Sequence, residues 1–98
     1  MWWFRRPRPD ETEIVGQWTL KRGRFVASFE CHRIQALAEC RFEHVANDPE
    51  SGGWDSLYRD PRDNRYWERT YPHSEMHGGG PPTLRVIDAE LARRKYRL

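Results

Sequence analysis

His73-Ser74-Glu75-Met76-His77 brings two imidazoles and a carboxylate into five residues, the ligand types of a zinc or iron site. On a helix the i, i+4 spacing would set both rings on one face. Pro72 before the run and Gly78-Gly79-Gly80 after it argue for a loop, and no third strong ligand is adjacent. The residues therefore read as hydrogen-bonding groups of a packed loop, with His77 bracing the glycine turn. Asp60 and Asp63, with Glu68 and Glu75 beyond them, are candidates for a carboxylate pair in acid–base hydrolysis. Yet Asp60 and Asp63 flank Pro61, where a type I turn uses such side chains to bond its own backbone. No Ser/His/Asp or Cys/His set at working spacing accompanies them. Gly78-Gly79-Gly80-Pro81-Pro82 is no phosphate cradle either, because no helix start and no Lys follow it. The sequence thus assigns no catalytic residue, no metal and no cofactor.

The elements around these groups are easier to read. Trp54 to Tyr58 and Arg65 to Tyr71 are β-rich runs, and Asp60-Pro61-Arg62-Asp63-Asn64 between them supplies turn chemistry. This predicts a hairpin with its turn at Pro61 to Asn64 and Asn64 at positive φ. Asn64, Gly78, Gly79, Gly80, Pro81 and Pro82 are the structural loop positions, alternating conformational freedom with restriction in a loop that must be held from outside.

Upstream, Ile14, Gly16, Trp18 and Leu20 alternate with polar neighbours as a strand with one apolar face, and Gly16 marks a bulge or a close backbone approach. Lys21-Arg22-Gly23-Arg24 is a turn with Gly23 left-handed, returning through Phe25-Val26-Ala27. Ser28 caps a helix running from about Phe29 to Ala46, with Ile34, Leu37, Ala38, Phe42 and Val45 as one stripe, and Asn47-Asp48-Pro49 stops it. Thr83 to Ile87 is a short strand, and Asp88 caps a final helix whose Glu90 and Arg93-Arg94-Lys95 match the dipole. The order ββαβββα predicts an α+β fold of two layers: an antiparallel sheet of about five strands, one long helix across it and a short C-terminal helix. The Ile14/Trp18/Leu20 and Trp54/Tyr58 faces are the expected partners of the helix.

A chain of 98 residues is one small domain, and its 13% aromatic content compensates for a thin core. No window of about 18 apolar residues spans a membrane, and Met1 to Phe4 is too short for the apolar core of a signal peptide. Residues 1–9 form a basic and aromatic extension, and residues 10–98 a single domain. Without Arg5, Arg6 and Arg8 the charge falls to 14 basic against 15 acidic groups, so the body lacks the cationic surface that dominates nucleic-acid affinity. Trp2, Trp3 and Phe4 are costly to expose and are expected to be covered by the body or by a second copy. Cys31 and Cys40 cannot pair within one helix, which suits a reducing cytoplasm.

The run Gly53 to Pro72, GWDSLYRDPRDNRYWERTYP, followed by MHGGGPPTL, resembles the immunity protein 27 family, small proteins encoded beside toxins in bacterial polymorphic toxin systems. The likeness extends from Glu11 to Trp18, through Arg33-Ile34 and Leu37, to Lys95-Tyr96. Asn64 departs from it, since Gly is expected there; Asn keeps the left-handed option. The resemblance implies a cytoplasmic binding protein that neutralises one cognate toxin; from the residues themselves no enzymatic activity, nucleic acid or membrane partner is expected. It leaves the free protein as a monomer or weak homodimer.

The expected docking surface is the hairpin tip and the loop beyond it: Asp60, Arg62, Asp63, His73, Glu75 and His77. These polar groups sit on turns pinned by prolines, and pre-ordered loops lose little entropy on binding. The readings from other classes are a small metal-dependent hydrolase built on His73, Glu75 and His77, and a nucleic-acid-binding module using the basic tail.

Overall fold

The computed structural model describes residues 5–75 and 79–98, so Trp2, Trp3, Phe4, His77 and Gly78 lie outside the described residues. Strands β1 (Glu13–Val15), β2 (Trp18–Lys21) and β3 (Arg24–Ala27) precede helix α1 (Phe29–Ala36). After it come β4 (Glu43–Asn47), β5 (Ser56–Arg59), β6 (Tyr66–Thr70), β7 (Thr83–Ile87) and helix α2 (Ala89–Tyr96). The fold is α+β, as expected. A five-stranded antiparallel sheet has the order β1-β7-β6-β5-β4, and β2-β3 forms a separate two-stranded sheet.

Alternation along the strands gives the sheet two apolar faces. Ile14, Tyr58, Trp67 and Leu84 pack with Ile34, Leu37, Ala38 and Phe42 on one side. Leu57 and Ile87 meet Ala92 and Tyr96 of α2 on the other, with Val45, Ala46, Tyr66 and Leu91 half-buried around them. The C-terminal helix therefore covers the second face. Both helix starts are capped as their sequences dictate: Ser28 Oγ accepts from Cys31 N and Asp88 Oδ1 from Leu91 N (2.8 Å). The hairpin β5-β6 turns at Pro61–Asn64, and Asn64 has φ 64°.

Three expectations are corrected. The long helix to Ala46 ends at Arg41. Its last turn, Leu37–Arg41, widens to π geometry, with Phe42 N donating to Leu37 O at 2.8 Å, and Phe42 is already extended (φ −97°, ψ 155°). Leaving the helix there stacks Phe42 on Trp67 (centroids 5.7 Å apart) and lets Glu43–Asn47 pair with β5 as an edge strand. Val45 thus belongs to a strand, and to the second apolar face.

The single strand from Ile14 to Leu20 is broken at Gly16-Gln17. Beyond the Val15–Thr83 pair the neighbouring chain is Pro82 and Pro81, which have no N–H to give, so Gly16 N donates to Pro82 O (2.9 Å) and the ladder stops. Gly16 is the close approach predicted: a Cβ there would lie 2.5 Å from Pro82 O and 2.8 Å from Cys31 Sγ. Ile14 stays in the core. Leu20 leaves it and is 62% exposed. Trp54 is also exposed rather than facing α1; its ring meets Tyr71 edge-on at 5.2 Å.

Candidate functional site

Of the residues expected to form one surface, Asp60, Arg62 and Asp63 occupy one end of the sheet and His73 and Glu75 the other, while His77 lies outside the described residues. Strand β6, five residues at about 3.4 Å each, runs between the tip Asp60–Arg65 and the loop beginning at Pro72, a span of roughly 17 Å.

At the tip end polar groups are used internally. Asp60 is 1% exposed: Oδ1 accepts from Arg62 N at 3.0 Å, and the backbone O accepts from Asn64 N at 2.8 Å. Asp63 Oδ1 accepts from Arg65 N (3.0 Å), and Asp63 Oδ2 from Arg65 Nε (2.7 Å). The Arg65 guanidinium reaches further, donating to the carbonyls of Glu11 (2.8 Å) and Arg8 (3.1 Å). Arg33, from α1, grips the same N-terminal segment through a two-pronged contact with Glu11 (2.6 and 2.8 Å) and through Arg5 O. The Arg33 hydrogen bond is the main reason that the Glu11 carboxyl lies below its ordinary pKa, burial opposing it. Arg6 lies 3.8 Å from Asp60, and Arg8 pairs with Asp10 at 3.4 Å. The basic stretch is thus partly neutralised and folded as a strap over the hairpin tip. Arg62 and Asp63 stay exposed beside it.

On the α2 face lies a cluster that sequence reasoning missed. Glu68, 1% exposed, accepts from Tyr96 Oη (2.8 Å) and pairs with Lys95 (2.6 Å), which also reaches Asp55 (2.8 Å); Arg85 stands 3.6 Å off. Burial works against the charged Lys95, but the hydrogen bonds to Asp55 and Glu68 outweigh it and raise its pKa. Burial, with the Glu68 contact, pushes the Tyr96 hydroxyl far above its ordinary value. A saturated ion cluster with its phenol held protonated offers no free acid or base, and it pins α2 to the sheet. A carboxylate inside the Tyr66–Thr70 strand and a Lys-Tyr pair in the last helix were the available signals.

The Pro72 end is different. An open groove of about 370 Å³ is lined by Val15, Gly16, Gln17, Trp18, Pro72, His73, Pro81 and Thr83. His73 and Glu75 stand exposed at its rim, Nδ1 to Oε1 3.7 Å. Gly79 and Gly80 close the loop behind it at φ 90° and 76°. Above the groove rises the β2-β3 hairpin. Trp18 pairs with Ala27 and Leu20 with Phe25, so these four side chains share one face, on which the Trp18 and Phe25 rings lie 5.9 Å apart. Leu20 and Phe25 are 62% and 61% exposed. The base of the hairpin is fixed, because Ser28 N donates to Gln17 O (2.8 Å) and Gln17 N to Ser28 Oγ (3.1 Å), the hydroxyl that caps α1.

Among the described residues no group of three or more His, Cys, Asp or Glu is placed to hold a metal ion. Nor is any helix among them long and apolar enough to cross a membrane. Cys31 is buried and Cys40 exposed, both free. Compared with known proteins, residues 20–88 match the family model of immunity protein 27. No curated protein and no solved structure matches the chain.

Proposed function

The chain belongs to the immunity protein 27 family, and on that premise we propose that it binds one cognate toxin in the cytoplasm and neutralises it by covering the active site or substrate entry, without chemistry of its own. The observation that carries this reading is the apolar face of the β2-β3 hairpin. A two-stranded hairpin is marginally stable alone and needs a covered face. Here Leu20 and Phe25, the most exposed of the large apolar side chains among the described residues, stand open on a fixed base beside a groove, whereas both faces of the five-stranded sheet are packed. Contiguous exposed apolar surface of this kind marks a protein-docking site. Of the residues expected from sequence, the reading keeps His73 and Glu75 as polar rim contacts. It leaves Arg62 and Asp63 out, because they lie at the strapped end. The alternative nucleic-acid reading loses support because Arg6 and Arg8 are paired with Asp60 and Asp10.

The test is co-expression with the toxin encoded beside the gene, scored by growth, with Leu20→Asp/Phe25→Asp as the variant. Wild type restores growth and the variant does not, although its purified form melts within a few degrees of wild type. Protection by the variant equal to that of wild type would move docking elsewhere.

A further inference from the structure

We propose that the toxin surface received by the β2-β3 hairpin is acidic: carboxylates ringing an apolar pocket that takes Leu20 and Phe25. This rests on the functional reading above and adds the chemistry of the partner.

The stretch Ile14 to Phe29 carries Lys21, Arg22 and Arg24 and no Asp or Glu. All three cations are exposed, and among the described residues none makes an ion pair. Several cations elsewhere have carboxylate partners, Arg33 with Glu11, Arg65 with Asp63, Arg59 with Glu43, and Lys95 with Glu68 and Asp55, whereas Arg62, Arg93 and Arg94 are exposed without an ion pair among the described residues; the hairpin stands apart in having three cations and no carboxylate in one stretch. The hairpin end also carries local costs that folding alone would not select. Lys21 and Arg24 face each other directly across the strands, a like-charge pair. Arg22 and Gly23 both have positive φ (51° and 77°), the pattern of a type I′ turn, where Asn before Gly is the favoured choice and Arg is strained. Carboxylates on a partner offset the charge repulsion, and they give an arginine at the strained turn position something to bind.

Charge complementarity therefore selects the occupant. A second copy of the chain brings no carboxylate on its own hairpin to meet these cations. A nucleic acid would find Trp18 half-buried and its ring tilted 43° to that of Phe25, so the face offers one open ring beside aliphatic Leu20 rather than a row of stacking platforms. An acidic protein surface with an apolar pocket takes Leu20 and Phe25, while Arg22 at the turn, and Lys21 and Arg24, which alternate onto the other face of the hairpin, meet carboxylates around its edge, where they govern the rate of encounter.

The experiment uses the full-length protein and the purified, catalytically inactivated toxin domain encoded beside it, measuring association rates at low and high salt. The variants are Arg22→Asn and Lys21→Glu/Arg24→Glu. Arg22→Asn suits the turn better, so it folds at least as well as wild type. It should associate about 3-fold more slowly at low salt, and the double reversal about 10- to 100-fold more slowly, both gaps shrinking at high salt. Wild-type binding with unchanged rates in folded variants overturns the acidic surface while leaving the toxin reading intact. Absence of wild-type binding at any salt overturns both. Tight binding of a single-stranded oligonucleotide, or a homodimer, that is lost in the double reversal also overturns the proposal, by assigning the hairpin a different occupant.

Discussion

The two ends of the five-stranded sheet treat polar and apolar groups in opposite ways. Around Asp60–Arg65, arginines and carboxylates from three distant parts of the chain satisfy one another: Arg33 with Glu11, Arg65 with Asp63 and the carbonyls of Arg8 and Glu11. Around Trp18–Ala27, Leu20 and Phe25 stand open beside the groove, and Lys21, Arg22 and Arg24 make no ion pair among the described residues. The strapped end uses its chemistry to hold the fold, whereas the open end uses the fold to present chemistry. Candidate residue types are therefore a poor guide to a docking site until their internal partners are known.

Substitutions can break this contrast. The largest effect should come from the core beneath both ends: Leu37→Ala should cost about 2–5 kcal/mol by lost transfer energy and a residual cavity, measured by chemical denaturation. Near-native stability would mean that α1 does not anchor the sheet. Next, Arg33→Ala should cost about 1–3 kcal/mol, because it strands the Glu11 carboxylate and frees the strap, yet toxin affinity should be unchanged. A fall in affinity with the fold intact would make the strapped end part of the interface.

A pH effect sharpens the same point. The folded pKa of Glu11 lies below its ordinary value of 4.5, so its contribution is fully present above the unfolded value and is lost as pH falls through the folded one. Urea midpoints measured below about pH 4.5 should therefore fall less steeply for Glu11→Gln than for wild type. Identical slopes would remove the strap from the stability account. The smallest change in stability belongs to Phe25→Ser, within about 0.5–1 kcal/mol, since the ring is mostly in water already. A loss as large as that of Leu37→Ala would show that the hairpin is a packed part of the domain.

Local chemistry was legible in the sequence, and changes of direction were not. The Pro61–Asn64 turn, the Ser28 and Asp88 caps and the close approach at Gly16 each follow from a few adjacent residues. The helix end was hidden because Phe42 and Val45 continue the spacing of Ile34, Leu37 and Ala38. Only the pairing of β4 with β5, distant in sequence, turns them into strand residues. Trp18 and Leu20 alternate with Ile14 as a core face should, but the prolines opposite Gly16 send them away from the sheet. His73 and Asp60 were placed together because both sit on turns pinned by prolines, but strand β6 between those turns holds them apart in space.

Hydrogen exchange of the full-length protein, with and without the inactivated toxin domain, tests the central claim most directly because it reports on both ends at once. The account predicts new amide protection across Trp18–Ala27 and in the Pro72–Thr83 loop, with Asp60–Arg65 unchanged. Protection confined to Asp60–Arg65, with the hairpin exchanging as freely as before, would contradict it.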